Sequence, residues 1–165
     1  MDSVEQLTGT HDGSGLRFGI AAATFNEGYV ERLLAAAVEF LLGHGVAASD
    51  LVVARVPGAW ELPQAIGEMA RGRAGHFDAL IALGVVIRGE TPHFDYLCQE
   101  CSRGLGVISN EERIPVALGV LTCDDASQAE DRCGGRVGNK GTEAALAALE
   151  MATLLRALPE HTGGD

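Results

Sequence analysis

The sequence predicts an α/β fold, a three-layer sandwich around a four-stranded parallel sheet with flavodoxin-like wiring. Short apolar runs recur at regular intervals: RFGIAAATF (17–25), LVVARVP (51–57), ALIALGVVI (79–87) and VALGVLT (116–122). They are too continuous for strands with one wet face and suit parallel strands covered on both faces. Between the runs lie stretches of helical period, and strand and helix in regular turn imply right-handed crossovers with helices on both sides of one sheet.

Taken in order, residues 1–15 are weakly patterned and precede the fold. The first strand ends at Phe25 and Asn26, and YVERLLAAAVEFLLGHG (29–45) follows as a helix closing on glycines. The second strand runs into Pro57–Glu61 and the helix ELPQAIGEMARGR (61–73), and the third stops at Arg88 before the helical TPHFDYLCQECSRGLGVI (91–108). After the fourth strand come ASQAEDRC (126–133), the glycine-rich break GGRVGNKG (134–141) and the helix TEAALAALEMATLLRAL (142–158). Residues 16–158 therefore form one domain without linker or repeat, and 159–165 read as a flexible tail. The last helix has little polar surface, which points to burial of more than one face, by subunit association or as a central core helix.

A formal charge of −11 over 165 residues argues against a nucleic-acid or anionic-membrane surface, so an anionic ligand must meet a local cluster of basic groups. The opening MDSVEQ lacks a secretory pattern and no apolar run approaches the ~20 residues of a membrane span, so a soluble cytoplasmic protein is expected. Cys98 and Cys101 form half of a zinc motif, but Cys123 and Cys133 are too widely spaced to complete it; all four read as small buried hydrophobes and no metal is expected.

Ligands of open parallel sheets bind beyond the carboxyl ends of the strands. Phe25 and Asn26, Pro57–Glu61, Arg88–His93 and Thr122–Asp125 all fall there. Thr91 followed by Pro92 suits an N-cap and a first helical position, so His93 enters a first turn whose free N–H groups and dipole favour an anion such as phosphate. The dipole also disfavours imidazolium, which suits a group that accepts and returns protons. GVVIRGET (84–91) has the spacing of a nucleotide-binding P-loop, but Glu90 stands where the lysine belongs and would repel a triphosphate. Arg132, Arg136 and Lys140, the only lysine, gather three cations in an acidic chain. Phe25 and Trp60 end the first two strands, where a flat heterocycle can stack, and Glu61 can accept hydrogen bonds; the alternatives are a core Trp60 and a helix-capping Glu61. Asp124 and Asp125 read as helix-start charges, and His11, His44, His76 and His161 have no assigned role.

TFN (24–26), VPGAWELP (56–63), LGVVIRGETPHFDY (83–96), GVLT (119–122) and GNKG (138–141) together resemble the lumazine synthases of riboflavin synthesis, over about residues 16–158. The resemblance implies a transferase that condenses 5-amino-6-(D-ribitylamino)uracil with 3,4-dihydroxy-2-butanone 4-phosphate without metal or organic cofactor. It implies that Phe25 stacks on the pyrimidine, that Ala59, Trp60, Glu61, Val85, Val86 and Ile87 hold the ring and ribityl chain, and that His93 transfers protons. Phosphate would be bound by the backbone at Glu90, by Thr91 and by Arg132, with Lys140 supporting the pocket. The resemblance further implies a homopentamer with Arg132 and the Leu118 region supplied across the interface, and association with riboflavin synthase in some members. The compact DRCGGRVGNKG connection resembles members whose pentamers build icosahedral shells of about 60 subunits. Leu118 stands where many relatives have Phe, and Arg136 where Lys is frequent. Two other classes fit the same residues: a module that captures a flavin or lumazine without chemistry, and a shell protein whose pocket has decayed.

Overall fold

Alternation along the first strand sets up two cores. In β1 (Phe18–Ala23) the side chains of Phe18, Ile20 and Ala22 point to one face of the sheet and Ala21 and Ala23 to the other, all of them buried, as a period of two requires. The computed structural model, which describes residues 4–158, pairs β1 with β2 (Leu51–Val56) and β3 (Ala79–Ile87), and β3 with β4 (Val116–Cys123). The sheet is wholly parallel, in the order β2-β1-β3-β4. Helices α1 (Glu27–Gly43) and α5 (Lys140–Ala157) cover one face, and α2 (Leu62–Ala70) and α3 (His93–Glu111) the other.

The helices hold the sheet through apolar stripes. Val30, Leu33, Ala37 and Leu41 recur at helical spacing along α1 and join Phe18, Ile20, Ile81 and Leu83 in one core; each large side chain buried there contributes about 1.5–3 kcal/mol. On the other face Leu62, Ile66 and Met69 of α2 meet Leu80 and Ala82, with Cys101 and Leu105 of α3. Gly141 marks the closest helix approach, since a Cβ there would collide with the Leu33 carbonyl of α1.

Coverage on both faces holds for the central strands and fails at the edges. β2 is only partly buried until Val56, and β4 alternates, leaving Leu118 and Thr122 exposed. β2 and β4 each lack a neighbouring strand on one side, so although α3 and α5 also pack on β4, the apolar runs 51–57 and 116–122 are less enclosed than their composition predicts. The glycine-rich stretch also differs from a plain break. After α4 (Ala126–Arg132), β5 (Cys133–Gly135) and β6 (Gly138–Asn139) form a small antiparallel hairpin. Gly134 and Gly138 sit at φ 97° and 86°, where a side chain is strained. Consequently α5 begins at Lys140, two residues ahead of the expected start at 142.

Residues 4–15 contain no helix or strand, but part of the stretch lies on α5: the Thr10 N–H donates to Thr153 Oγ1 (2.8 Å), and His11 Nε2 pairs with Glu150 (2.9 Å). The predicted tail 159–165 and His161 lie outside the described residues. Buried Ala144, Ala145, Ala148, Leu149 and Ala152 occupy the inner face of α5, while Met151 and Leu155 remain exposed. Among the described residues no helix is long and apolar enough to cross a membrane.

Candidate active site

The strand order reverses between β1 and β3, and the site opens at that crevice. β1 pairs with β3 only as far as Ala22 opposite Leu83, whereas β3 continues beside β4 to Ile87 opposite Cys123. Val85–Ile87 thus run past the end of β1. The Asn26 side chain donates from Nδ2 to the Val85 carbonyl (2.8 Å) and ties the chain after β1 to this overhang. Ile87, two residues on, turns its N–H and carbonyl the same way, so this open edge can hydrogen-bond a flat amide-bearing ring. Asn26 does so from a left-handed conformation at the start of α1 (φ 59°, ψ 38°), a geometry Asn tolerates better than most residues.

Around this edge lies a cleft of about 470 Å³ lined by Phe25, Ala59, Trp60, Glu61, Val85, Val86, Ile87, Thr91 and His93, among others. Phe25 and Trp60 are 71% and 61% exposed, so Trp60 is not a core residue, and two bare aromatic faces flank the opening. Glu61 precedes α2, where its side chain makes no capping bond. His93 opens α3 and is exposed.

The expected cap of α3 is not formed. Pro92 occupies the cap position and His93 the first helical one, and no side chain, Thr91 included, caps the helix. Thr91 instead lines the cleft. The Asp95 N–H is turned to the Pro92 carbonyl (3.0 Å), whereas the His93 and Phe94 N–H groups have no backbone acceptor among the described residues, which preserves the anion-binding character of the turn. Glu90 is exposed and does not line the cleft. Asp95 turns toward Arg88, whose Nη1 donates to it at 3.1 Å, while Arg88 Nε donates to Asp124 at 3.0 Å.

Among the described residues no Lys or Arg lines this cleft. Arg132, Lys140 and Leu118 line a separate cleft of about 390 Å³ beside β4, with Val120, Thr122, Glu143 and Ala147. The four strand ends share one edge of the parallel sheet, but residues around β4 line a second cleft of their own. Arg132 is half-buried, its Nη1 donating to the Gln128 carbonyl (3.1 Å). Lys140 sits at the positive end of the α5 dipole, where a cation is locally disfavoured, and Glu143 offsets this at 2.7 Å. Arg136 leaves the cluster to bond Asp131 (2.7 Å), holding that carboxyl below its ordinary range.

Asp125 caps α4 by accepting from the Gln128 N–H (2.9 Å), as a helix-start charge should. The sequence reading missed the tie of Asn26 to Val85 and the Asp124 partner of Arg88; an Asn directly after a strand, before helical spacing, is the one local signal for the first. Cys101, Cys123 and Cys133 are buried and Cys98 partly so. Burial pushes the Cys101 and Cys133 thiols up to about 11.

Fold and cleft define an α/β protein with an open cleft at the crossover point of a parallel sheet, between two aromatic side chains and a helix start. Residues 15–156 match the 6,7-dimethyl-8-ribityllumazine synthase family. A 6,7-dimethyl-8-ribityllumazine synthase of Aquifex aeolicus (strain VF5) is 49% identical over 144 residues, which cover 87% of this chain and 92% of the relative. The chain belongs to the 6,7-dimethyl-8-ribityllumazine synthase family.

Proposed function

We propose that this protein is the enzyme its family membership indicates, condensing 5-amino-6-(D-ribitylamino)uracil with 3,4-dihydroxy-2-butanone 4-phosphate to give 6,7-dimethyl-8-ribityllumazine, phosphate and water. The observation that carries the reading is the division of the site. One cleft holds the aromatic faces, the open strand edge and the proton-transfer group without a cation, and the other holds the cations without an aromatic ring. A dianionic phosphate and a flat pyrimidine need both sets.

Phe25 stacks on the pyrimidine, and the backbone of Val85, Val86 and Ile87 takes its polar edge. Ala59, Trp60 and Glu61 hold the ribityl chain, with Glu61 accepting from hydroxyl groups. The N–H groups at Glu90 and the Thr91 hydroxyl receive the phosphate at the start of α3, leaving the Glu90 carboxylate turned away. His93 moves protons during imine formation and phosphate loss. Arg132, Lys140 and Leu118 reach this cleft from the adjoining protomer. A homopentamer closed by cyclic symmetry gives every cleft such a neighbour, and exposed Leu118, Met151 and Leu155 supply apolar surface for association. Assembly of pentamers into a shell, association with riboflavin synthase and a cytoplasmic location belong to the same proposal.

Most of the acceleration is assigned to positioning, because two small molecules held in register gain far more than one proton shuttle supplies, ~10²–10⁴-fold. The test is purified protein with both substrates, followed by product absorbance. Steady appearance of the lumazine supports the reading. Tight binding of a lumazine without turnover identifies a capture module, and assembly without either identifies a shell protein with a decayed pocket.

A further inference from the structure

Arg88 lines neither cleft, yet its side chain joins the segments that build them. Nη1 bonds both Asp95 oxygens (3.1 and 3.3 Å), Nε bonds Asp124 (3.0 Å), and the guanidinium carbon lies 4.2 Å from the centre of the Phe94 ring. Its backbone N–H donates to the Cys123 carbonyl (2.9 Å), which anchors the residue on β4. Phe94 and Asp95 directly follow His93 in a helix start with no side-chain cap, and exposed Gly89, Glu90 and Thr91 bridge from Arg88 to Pro92. An uncapped first turn opens easily. Here the fork of Arg88 grips that turn from outside through a carboxylate and a ring face, a combination an ammonium cannot reproduce. The other arm reaches toward Arg132: the Asp124 N–H donates to Gln128 Oε1 (2.9 Å), and the Gln128 carbonyl accepts from Arg132 (3.1 Å).

We propose that Arg88 is a positioning residue for the condensation. It holds Gly89–Thr91 and the first turn of α3 in the shape that receives phosphate and presents His93, and it touches neither substrate. This rests on the functional reading above. Arg88, Asp95 and Asp124 are 41%, 50% and 66% exposed at their side chains, where ion pairs add little to global stability, so the loss is felt in the loop and not in the fold.

Arg88→Gln is expected to raise the KM for the phosphorylated substrate about tenfold or more while the pyrimidine KM stays within about twofold. Asp95→Asn decides between clamp and field. It removes a negative charge near the phosphate, so an electrostatic role for Arg88 predicts a lower KM, whereas the clamp predicts a higher one. Arg88→Lys should recover only part of the loss. A lowered KM in Asp95→Asn, or full recovery with Lys, overturns the proposal. Amide hydrogen exchange gives an arm independent of turnover: in Arg88→Gln, the hydrogen-bonded amides of residues 95–97 should lose protection while α3 beyond Cys101 keeps it. Failure of the wild type to make lumazine would remove the functional reading, yet unchanged protection at 95–97 would still overturn the clamp by itself.

Discussion

The two clefts beside β3 and β4 carry complementary groups. The larger lies where β3 outruns β1 and has backbone edge, aromatic faces and an imidazole; the smaller flanks an edge strand and has Arg132 and Lys140. A phosphate in the first would meet only N–H groups and a hydroxyl, and a ring in the second would find nothing to stack on. Neither accommodates both substrates alone, and on the function proposed above the chemistry lies between protomers and assembly is part of catalysis.

The comparison can be broken at several points. His93→Ala should have the largest effect, lowering kcat by ~10²–10⁴-fold while leaving both KM values nearly unchanged, because it removes proton transfer and keeps positioning. Complete loss of activity would assign His93 more than that. Arg132→Ala should raise the KM for the phosphorylated substrate by roughly 10- to 100-fold, the worth of a charged hydrogen-bond partner; an unchanged KM would leave the smaller cleft without a role.

The chain alone made much of this legible, and the reason is locality. Strand ends, helix periods and the cluster from Arg88 to Asp95 are contiguous in sequence, so Phe25, Trp60, Thr91 and His93 could be assigned to one end of the sheet before the fold was known. What stayed hidden depends on distant partners. The sequence around Thr91 and Pro92 promised a capped helix, but the turn is gripped instead by Arg88 through Asp95 and Phe94. Composition also overstated the cover of β4, since an apolar run on an edge strand reads like one in the middle of a sheet. Arg132 and Lys140 stood out as cations, yet nothing local told that they line a different cleft from Phe25 and His93.

Smaller perturbations sharpen the same contrast. Gly141→Ala puts a methyl against the Leu33 carbonyl beside Lys140, and should destabilise the fold by about 1–3 kcal/mol in denaturant titration while disturbing the cation side more than the aromatic side. A further effect is expected in alkali. Burial raises Cys101 and Cys133 from 9.0 to about 11 in the folded chain. The stability these thiols contribute is complete below pH 9.0 and is lost as pH rises to about 11, since the unfolded state releases their protons first. Thermal midpoints should therefore fall over that window, and replacing both with Ala should flatten the decline.

Co-expression of the His93→Ala and Arg132→Ala chains tests the shared site most directly. If each cleft takes its imidazole from one protomer and its guanidinium from the next, random assembly leaves about a quarter of the clefts with both groups intact. At low phosphorylated substrate the mixture should then far exceed the mean of the two separate variants. A rate equal to that mean would contradict a site divided between neighbours.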